Sequence, residues 1–271
     1  MTEPNRSPIK APPLRLPGQS LTEERELLLE DKVMLPLLCI AVLIVMTGVE
    51  WWRYYFPSKP SPLVVTLLAL IGIIFFAWRV WGVRQRMRQL KLGIDGERAV
   101  GQFLEVLREK KYKVFHDVVG EGFNIDHVLI GPAGVFTIET KTWSKPARGD
   151  ARVKFDGGKI TIFDREPDRD PVIQAKAQAT WLRALLKEST GREYHVRPVI
   201  VFPGWFVEST WFARNDIWVL EPKALPAFLN QENAMLREED INLASFHLSR
   251  FLRAGELDRQ RRKREIGLVA N

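Results

Sequence analysis

One predicted hairpin of this chain carries two carboxylates and a lysine, residue types that can hold a divalent cation beside a phosphodiester. Two short apolar segments, 125–130 and 135–140, have the composition of strands and are joined by a Gly-Pro-Ala-Gly turn. Asp126 lies near the start of the first strand, Glu139 lies at the end of the second, and Lys141 follows. Because side chains alternate along a strand, Glu139 and Lys141 should share one face.

Hydrolysis of a phosphodiester needs a water nucleophile and positive charge beside the phosphate, and a divalent metal can supply both. Mg²⁺ prefers oxygen ligands and keeps several waters, so one or two carboxylates are enough. We therefore expect Asp126 and Glu139 to bind Mg²⁺ or Mn²⁺, with the backbone carbonyl of Thr140 as a third ligand. Lys141 would position or deprotonate the water, or neutralise charge that develops on the phosphate.

Two residues outside the hairpin are further candidates. Glu97, at the start of a predicted helix, would add a carboxylate to the metal site if that helix packs beside the hairpin. Gln174, in the first turn of a second predicted helix, would orient water or phosphate.

Each of these residues also has a structural interpretation. Glu139 and Lys141 can form an ordinary pair at a solvent-exposed strand edge, and Glu97 can be an acidic residue favoured by a helix N-terminus. His127 is more typical of a packed histidine at the edge of the core than of a metal ligand. The interpretation of Glu139 and Lys141 as an exposed strand-edge pair is disfavoured, because charges at the ends of otherwise buried strands cost energy unless they are paired or bound to metal.

Composition narrows the class of partner. The chain has 271 residues and a formal net charge of +7, which favours nucleic acid or anionic lipid without separating them. Its single cysteine, Cys39, excludes an internal disulfide and any zinc site built from several cysteines.

Two uncharged apolar runs, 33–49 and 63–78, precede the hairpin. With the flanking Trp and Tyr residues, both reach the length of about 20 residues that a membrane span requires. We expect transmembrane helices at about 33–52 and 63–83. The alternative is a pair of buried helices in a soluble core.

Basic residues predict the orientation of these spans. Five of them follow the second run closely, and positive charge beside a span stays in the cytoplasm. We therefore expect a multi-pass protein of the inner cell membrane, with both termini and the soluble domain in the cytoplasm. Residues 1–32 should be a disordered cytoplasmic segment, because the part up to Ser20 has five prolines and few large apolar groups. The five basic residues are Arg79, Arg84, Arg86, Arg88 and Lys91.

The remaining residues, from about 90 onward, are enough for one compact domain. Their pattern predicts an α/β fold with a mixed sheet flanked by helices, followed by a disordered basic tail at 257–271. The predicted helices are 97–110, 171–189, 222–229 and 240–253. Besides 125–130 and 135–140, the predicted strands are 112–119, 152–155, 159–163, 196–202 and 216–220.

Three motifs occur in a fixed order along this domain. They are Gly93-x-x-Gly96-Glu97, then Asn124-Ile-Asp126 through Glu139-Thr-Lys141, then Asp170-Pro-Val-Ile-Gln174. In this order they resemble the nuclease-related domain (NERD) family over about 90–206, with the whole domain extending through C-terminal helices to about 256. The resemblance implies the restriction-endonuclease-like core of the PD-(D/E)XK nuclease group and magnesium-dependent cleavage of DNA. It also implies active-site positions at Glu97, Asp126, Glu139 and Lys141, with Gln174 as a further polar member.

The sequence therefore favours a membrane-anchored, metal-dependent nuclease. Two other classes stay open. The same fold can serve as a non-catalytic nucleic-acid-binding or protein-binding module. Alternatively, the arginines within 79–91 and 259–264 can bind anionic lipid and make the chain a membrane-surface scaffold.

Overall fold

The chain divides into two compact units, one of which is inserted in the other. In the computed structural model, the helical unit is Ser20–Ile94, and the α/β unit combines Met1–Gln19 with Asp95–Asn271. The first part of the predicted disordered segment, residues 1–13, lies outside the described residues, as do 144–151 and 163–169. The residues that the structure describes are 14–56, 62–143, 152–162, 170–209 and 216–269.

The first long helix begins earlier than the sequence predicts. Helix α1 (Gln19–Leu29) continues through a π-helical turn (Glu30–Met34) into α2 (Leu35–Tyr55). The prediction of disorder up to residue 32 is therefore wrong from Gln19 onward. Leucine and glutamate dominate this stretch, and both are strong helix formers.

Helix α3 (Pro62–Glu105) packs antiparallel to α1 and α2 within the helical unit. Near one end, the indole nitrogen of Trp51 donates a hydrogen bond to Thr66 Oγ1 at 3.1 Å. Further along, a Cβ on Gly72 would lie only 2.6 Å from Leu43 Cδ1, so the helices are in close contact there.

Most apolar side chains of this helical hairpin are exposed. Only Pro36 is buried in α2, and both helices, Gln19–Tyr55 and Pro62–Lys110, are long and apolar enough to cross a membrane. The alternative of two buried core helices does not match this exposure.

The predicted helix at 97–110 is the end of α3, followed by a 3₁₀ turn at Val106–Lys110. Gly93, Asp95 and Gly96 therefore lie inside a continuous helix. Gly96 allows a close approach, because a Cβ there would lie 1.9 Å from Thr142 Cγ2. This contact brings Glu97, the next residue of α3, to the end of the central hairpin.

The α/β unit is built on a five-stranded mixed sheet with the order β1-β2-β3-β6-β8. The pairs β1–β2 and β2–β3 are antiparallel, whereas β3–β6 and β6–β8 are parallel. The predicted mixed sheet is confirmed. Its strands are β1 (Lys113–Val119), β2 (Asn124–Gly131), β3 (Gly134–Thr140), β6 (Val196–Val201) and β8 (Trp218–Leu220).

A second, three-stranded sheet has the order β5-β4-β7. The hairpin of β4 (Arg152–Phe155) and β5 (Ile160–Ile162) was predicted, but β7 (Phe206–Ser209) was not. Strand β7 has four residues and no buried side chain, so its sequence lacks the alternation of a half-buried strand.

Helices cover both faces of the five-stranded sheet. One core contains Val100 and Leu104 of α3 and also helix α5 (Leu225–Gln231). The other contains α4 (Pro171–Thr190) and α6 (Glu238–Val269).

Helix α4 buries Gln178, whereas Ile173 is 68% exposed. Helix α6 continues to Val269, through most of the predicted disordered tail at 257–271. Its run of Arg, Gln, Lys and Glu consists of strong helix formers.

The contact at Gly96 gives a test of how α3 is positioned. Although alanine favours a helix by about 1 kcal/mol over glycine, Gly96→Ala should destabilise the α/β unit by about 1–3 kcal/mol through overpacking against Thr142. Thermal unfolding of the full chain in detergent measures the effect. Gly255→Ala in α6 is the matched control, since its nearest neighbour atom would be Arg259 Nη2 at 3.9 Å, and it should be neutral or stabilising. Equal effects of the two variants would contradict the close approach.

Candidate active site

The end of β3 joins three of the predicted site residues in one hydrogen-bonded cluster. Glu139 Oε1 accepts hydrogen bonds from Lys141 Nζ at 2.7 Å and from Gln174 Nε2 at 2.8 Å. Lys141 Nζ also donates to Gln174 Oε1 at 2.9 Å. Each residue therefore contacts the other two. Glu139 is buried, whereas the Lys141 side chain is 22% exposed.

Local structure explains why these three side chains meet. The Lys141 backbone nitrogen donates to Val201 O at 2.9 Å, which extends the pairing with β6 past the end of β3. Lys141 thus keeps the strand alternation and lies on the same side as Glu139, as predicted. Asp170 Oδ1 caps α4 by accepting from the Val172 nitrogen at 2.8 Å, and Pro171 occupies the first turn.

Asp126 is held beside this cluster by the backbone of β3. Its Oδ2 accepts a hydrogen bond from the Thr140 nitrogen at 2.7 Å. The residue keeps some contact with solvent, but its carboxyl is surrounded by protein. Burial raises the pKa of Asp126 well above its ordinary value, and the nearby charges of Glu139 and Glu97 raise it further.

Glu97 reaches the same place from α3. Its side chain is buried, and burial, followed by the charges of Asp117 and Glu139, raises its pKa from 4.5 to about 8. A hydrogen bond from the Gly18 backbone and the charge of Lys141 act in the opposite direction. Because Glu97 lies inside α3, the interpretation as a charge at a helix N-terminus is wrong.

Gln178 is a site residue that the sequence analysis missed. It is buried, and its Nε2 donates to Glu139 Oε2 at 2.7 Å and to the Asn124 carbonyl at 2.8 Å. Together, Gln174 and Gln178 hold one oxygen each of the Glu139 carboxylate. The sequence does carry a signal for this role: Gln178 follows Gln174 by four residues, and residues four apart share a helix face.

Asp117 was also missed. It is 2% exposed and has a left-handed backbone with φ 49°. In the register of β1 and β2 it falls between the pairs His116↔His127 and Val118↔Ile125. No periodic pattern marks it, because the positive φ interrupts the strand alternation.

His127 is a core histidine, as expected. It is fully buried, and its Nδ1 lies 2.9 Å from Nδ1 of His116, which bonds Glu105 through Nε2. Burial, and then the neighbouring His116, lower its pKa well below the usual value, so its ring is neutral.

The arrangement brings carboxylates together without forming a finished metal site. Within the described residues, no group of three or more His, Cys, Asp or Glu side chains is placed to hold a metal ion. Glu97, Asp126 and Glu139 nevertheless lie close enough for their charges to act on one another. The structure thus brings all five predicted residues to one end of the five-stranded sheet.

Part of the chain matches a known family of proteins. Residues 92–203 match the family model described as "Nuclease-related domain". Comparison with curated proteins and with solved structures gave no match. The matched range includes the five predicted site residues together with Asp117 and Gln178.

The raised pKa of Glu97 predicts a pH-dependent stability. A carboxyl whose folded pKa is raised stabilises the fold at low pH, and this contribution is lost as pH rises from 4.5 to about 8. In metal-free buffer with chelator, the full chain should therefore lose thermal stability from pH 5 to pH 8. Glu97→Gln should show a smaller loss and be more stable than wild type at pH 8. Glu188→Gln, at an exposed position of α4, should behave as wild type. A wild-type loss that is unchanged in Glu97→Gln would contradict the assignment.

Proposed function

We propose that this chain, whose residues 92–203 are a nuclease-related domain, is a membrane-anchored metal-dependent nuclease that hydrolyses phosphodiester bonds of DNA. The observation that carries the proposal is the cluster of Glu139, Lys141 and Gln174 beside Asp126. It places a cation, an amide and buried carboxylates at one end of a sheet.

The donor set suits a hard divalent cation. Glu97, Asp126 and Glu139 with Lys141 carry a net charge of −2 when all are ionised, which one Mg²⁺ or Mn²⁺ would balance. Asp126 and Glu139 would hold this ion, with Glu97 as a further carboxylate and the Thr140 carbonyl as a backbone ligand. When bound, the metal supplies Lewis-acid chemistry at the phosphate and activates water.

The side chains of the chain have separate tasks in this proposal. Lys141, which is partly exposed, stabilises negative charge on the phosphate oxygens. Gln174 bonds both Lys141 and Glu139, and so helps to orient both side chains. Gln178 holds the second oxygen of Glu139, which fixes the plane of that carboxylate.

Cleavage assays on the full chain in detergent test this function. With Mg²⁺ or Mn²⁺, the wild type should cleave linear or circular DNA, and Asp126→Asn and Lys141→Met should each lower the rate about 100-fold or more. Lys187→Met is the matched control, because Lys187 is an exposed lysine on α4 that pairs with Glu193, and it should leave the rate unchanged. RNA in parallel reactions compares the two substrate classes.

Two results would contradict the nuclease. Equal cleavage activity in wild type, Asp126→Asn and Lys141→Met would contradict the assignment of Asp126 and Lys141 to the active site. A wild type that binds DNA without cleaving it would favour the non-catalytic binding module.

Chain connectivity and charge support the membrane part of the proposal. Both ends of the helical unit, Ser20 and Ile94, continue into the α/β unit, so two spans would return the chain to its starting side. The basic residues between Arg79 and Lys91 favour the cytoplasm for that side. The α/β unit would then lie in the cytoplasm at the inner membrane.

Labelling of single cysteines tests this topology. In a Cys39→Ala background, Ser58→Cys lies between the two apolar runs and should react with a membrane-impermeant maleimide in intact cells. Glu188→Cys, in the α/β unit, should react only after the membrane is opened. The reverse pattern, or recovery of the full chain without membranes, would contradict the proposal.

A further inference from the structure

Residues 14–18 precede the first helix but pack on the α/β unit. The Arg15 side chain is only 2% exposed; its Nε donates to Asp117 Oδ2 at 2.6 Å and its Nη1 to Glu256 Oε2 at 2.9 Å. The segment also crosses α3 closely, since a Cβ on Gly101 would lie 2.4 Å from Pro17 Cγ. A buried arginine and a glycine contact define a fixed position for this segment.

The segment contacts the carboxylate cluster at two points. The Gly18 backbone donates a hydrogen bond to the Glu97 carboxylate. Arg15 binds Asp117, whose charge acts on Glu97 more strongly than that of any other side chain. Asn124, two residues before Asp126, adds a 3.4 Å contact to the other oxygen of Asp117.

Arg15 offsets part of the negative charge of Asp117. Removing one partner of a buried ion pair is costly. In Arg15→Gln the buried Asp117 carboxylate would lose its ion pair with Arg15, and its charge acts on Glu97. Arg15 therefore limits how much Asp117 adds to the repulsion among the carboxylates that we assign to the cation.

We propose that residues 14–18 complete the active site, with Gly18 bonded to Glu97 and Arg15 as a positioning residue that fixes Asp117, which contacts Asn124. Gln178 binds both the Asn124 carbonyl and Glu139, so this chain of contacts reaches the cluster. The inference rests on the proposed nuclease function and deepens it. The working site then combines two segments of the chain, one before and one after the helical unit in the sequence. The family match at 92–203 contains only the second segment.

Four variants of the full chain in detergent test this inference. They are Arg15→Gln, Asp117→Asn, the double variant Arg15→Gln/Asp117→Asn, and Arg259→Gln. The last is the matched control, since Arg259 also contacts Glu256, at 3.2 Å, from α6. Thermal unfolding of each variant and kcat and KM for DNA cleavage with Mg²⁺ are measured.

Arg15→Gln should lower kcat about tenfold or more, with KM for DNA within about threefold of wild type, because Arg15 acts on the reacting groups and not on DNA binding. Arg259→Gln should keep both constants within about twofold. The double variant should recover most of the lost kcat and thermal stability, because it removes the Asp117 charge together with the Arg15 cation that offsets it.

The outcomes separate this inference from the nuclease itself. If the wild type cleaves DNA and Arg15→Gln cleaves equally well, the inference is wrong and the nuclease stands. If Arg15→Gln does not fold, the double variant decides: wild-type-like kcat supports the inference, and a folded but inactive protein overturns it. If the wild type does not cleave DNA, the proposed nuclease function is wrong. Thermal unfolding then tests the role of Arg15 separately: additive effects of Arg15→Gln and Asp117→Asn on stability would overturn it.

Discussion

The repulsion among carboxylates gathered at one end of a buried sheet is the constraint on which the rest of this structure depends. Burial raises the cost of ionising Glu97 and Asp126, and each ionised neighbouring carboxyl raises it further, so the pKa values of both are raised. The surrounding structure offsets it with cations and polar donors. Lys141 and two glutamine amides surround Glu139, the Thr140 nitrogen binds Asp126, and Arg15 binds Asp117.

Such a cluster lowers the free energy of unfolding, and a purely structural protein would have no need of it. An exposed strand-edge pair of Glu139 and Lys141 would be screened by water and contribute little, but Glu139 is 4% exposed and bonded at both oxygens. A cluster of this kind is typical of sites that use charge, because perturbed carboxyls concentrate at functional positions. A divalent cation would relieve the repulsion and use the same geometry for phosphodiester chemistry.

The sequence predicted most of the α/β unit and the core of the site. Alternating apolar strands indicate the hairpin and so bring Asp126, Glu139 and Lys141 together, and Pro171 is typical of the first turn of a helix such as α4. Other features depend on long-range contacts that carry no local pattern. The burial of Gln178 follows from the rotational setting of α4, and the role of Gly96 follows from the approach of Thr142. Arg15 lies about a hundred residues from its partner Asp117, so no motif could join them.

The central claim is that Asp126, Glu139 and Glu97 form a binding site for one divalent cation. Calorimetric titration of Mn²⁺ or Mg²⁺ into the full chain near pH 7.5 tests it most directly, in two buffers of different ionisation enthalpy. The account predicts one bound cation per chain and release of protons on binding, because the pKa of Glu97 is about 8 and that of Asp126 is raised. Asp126→Asn should abolish the binding. Absence of binding by the wild type, or equal binding by Asp126→Asn, would contradict it.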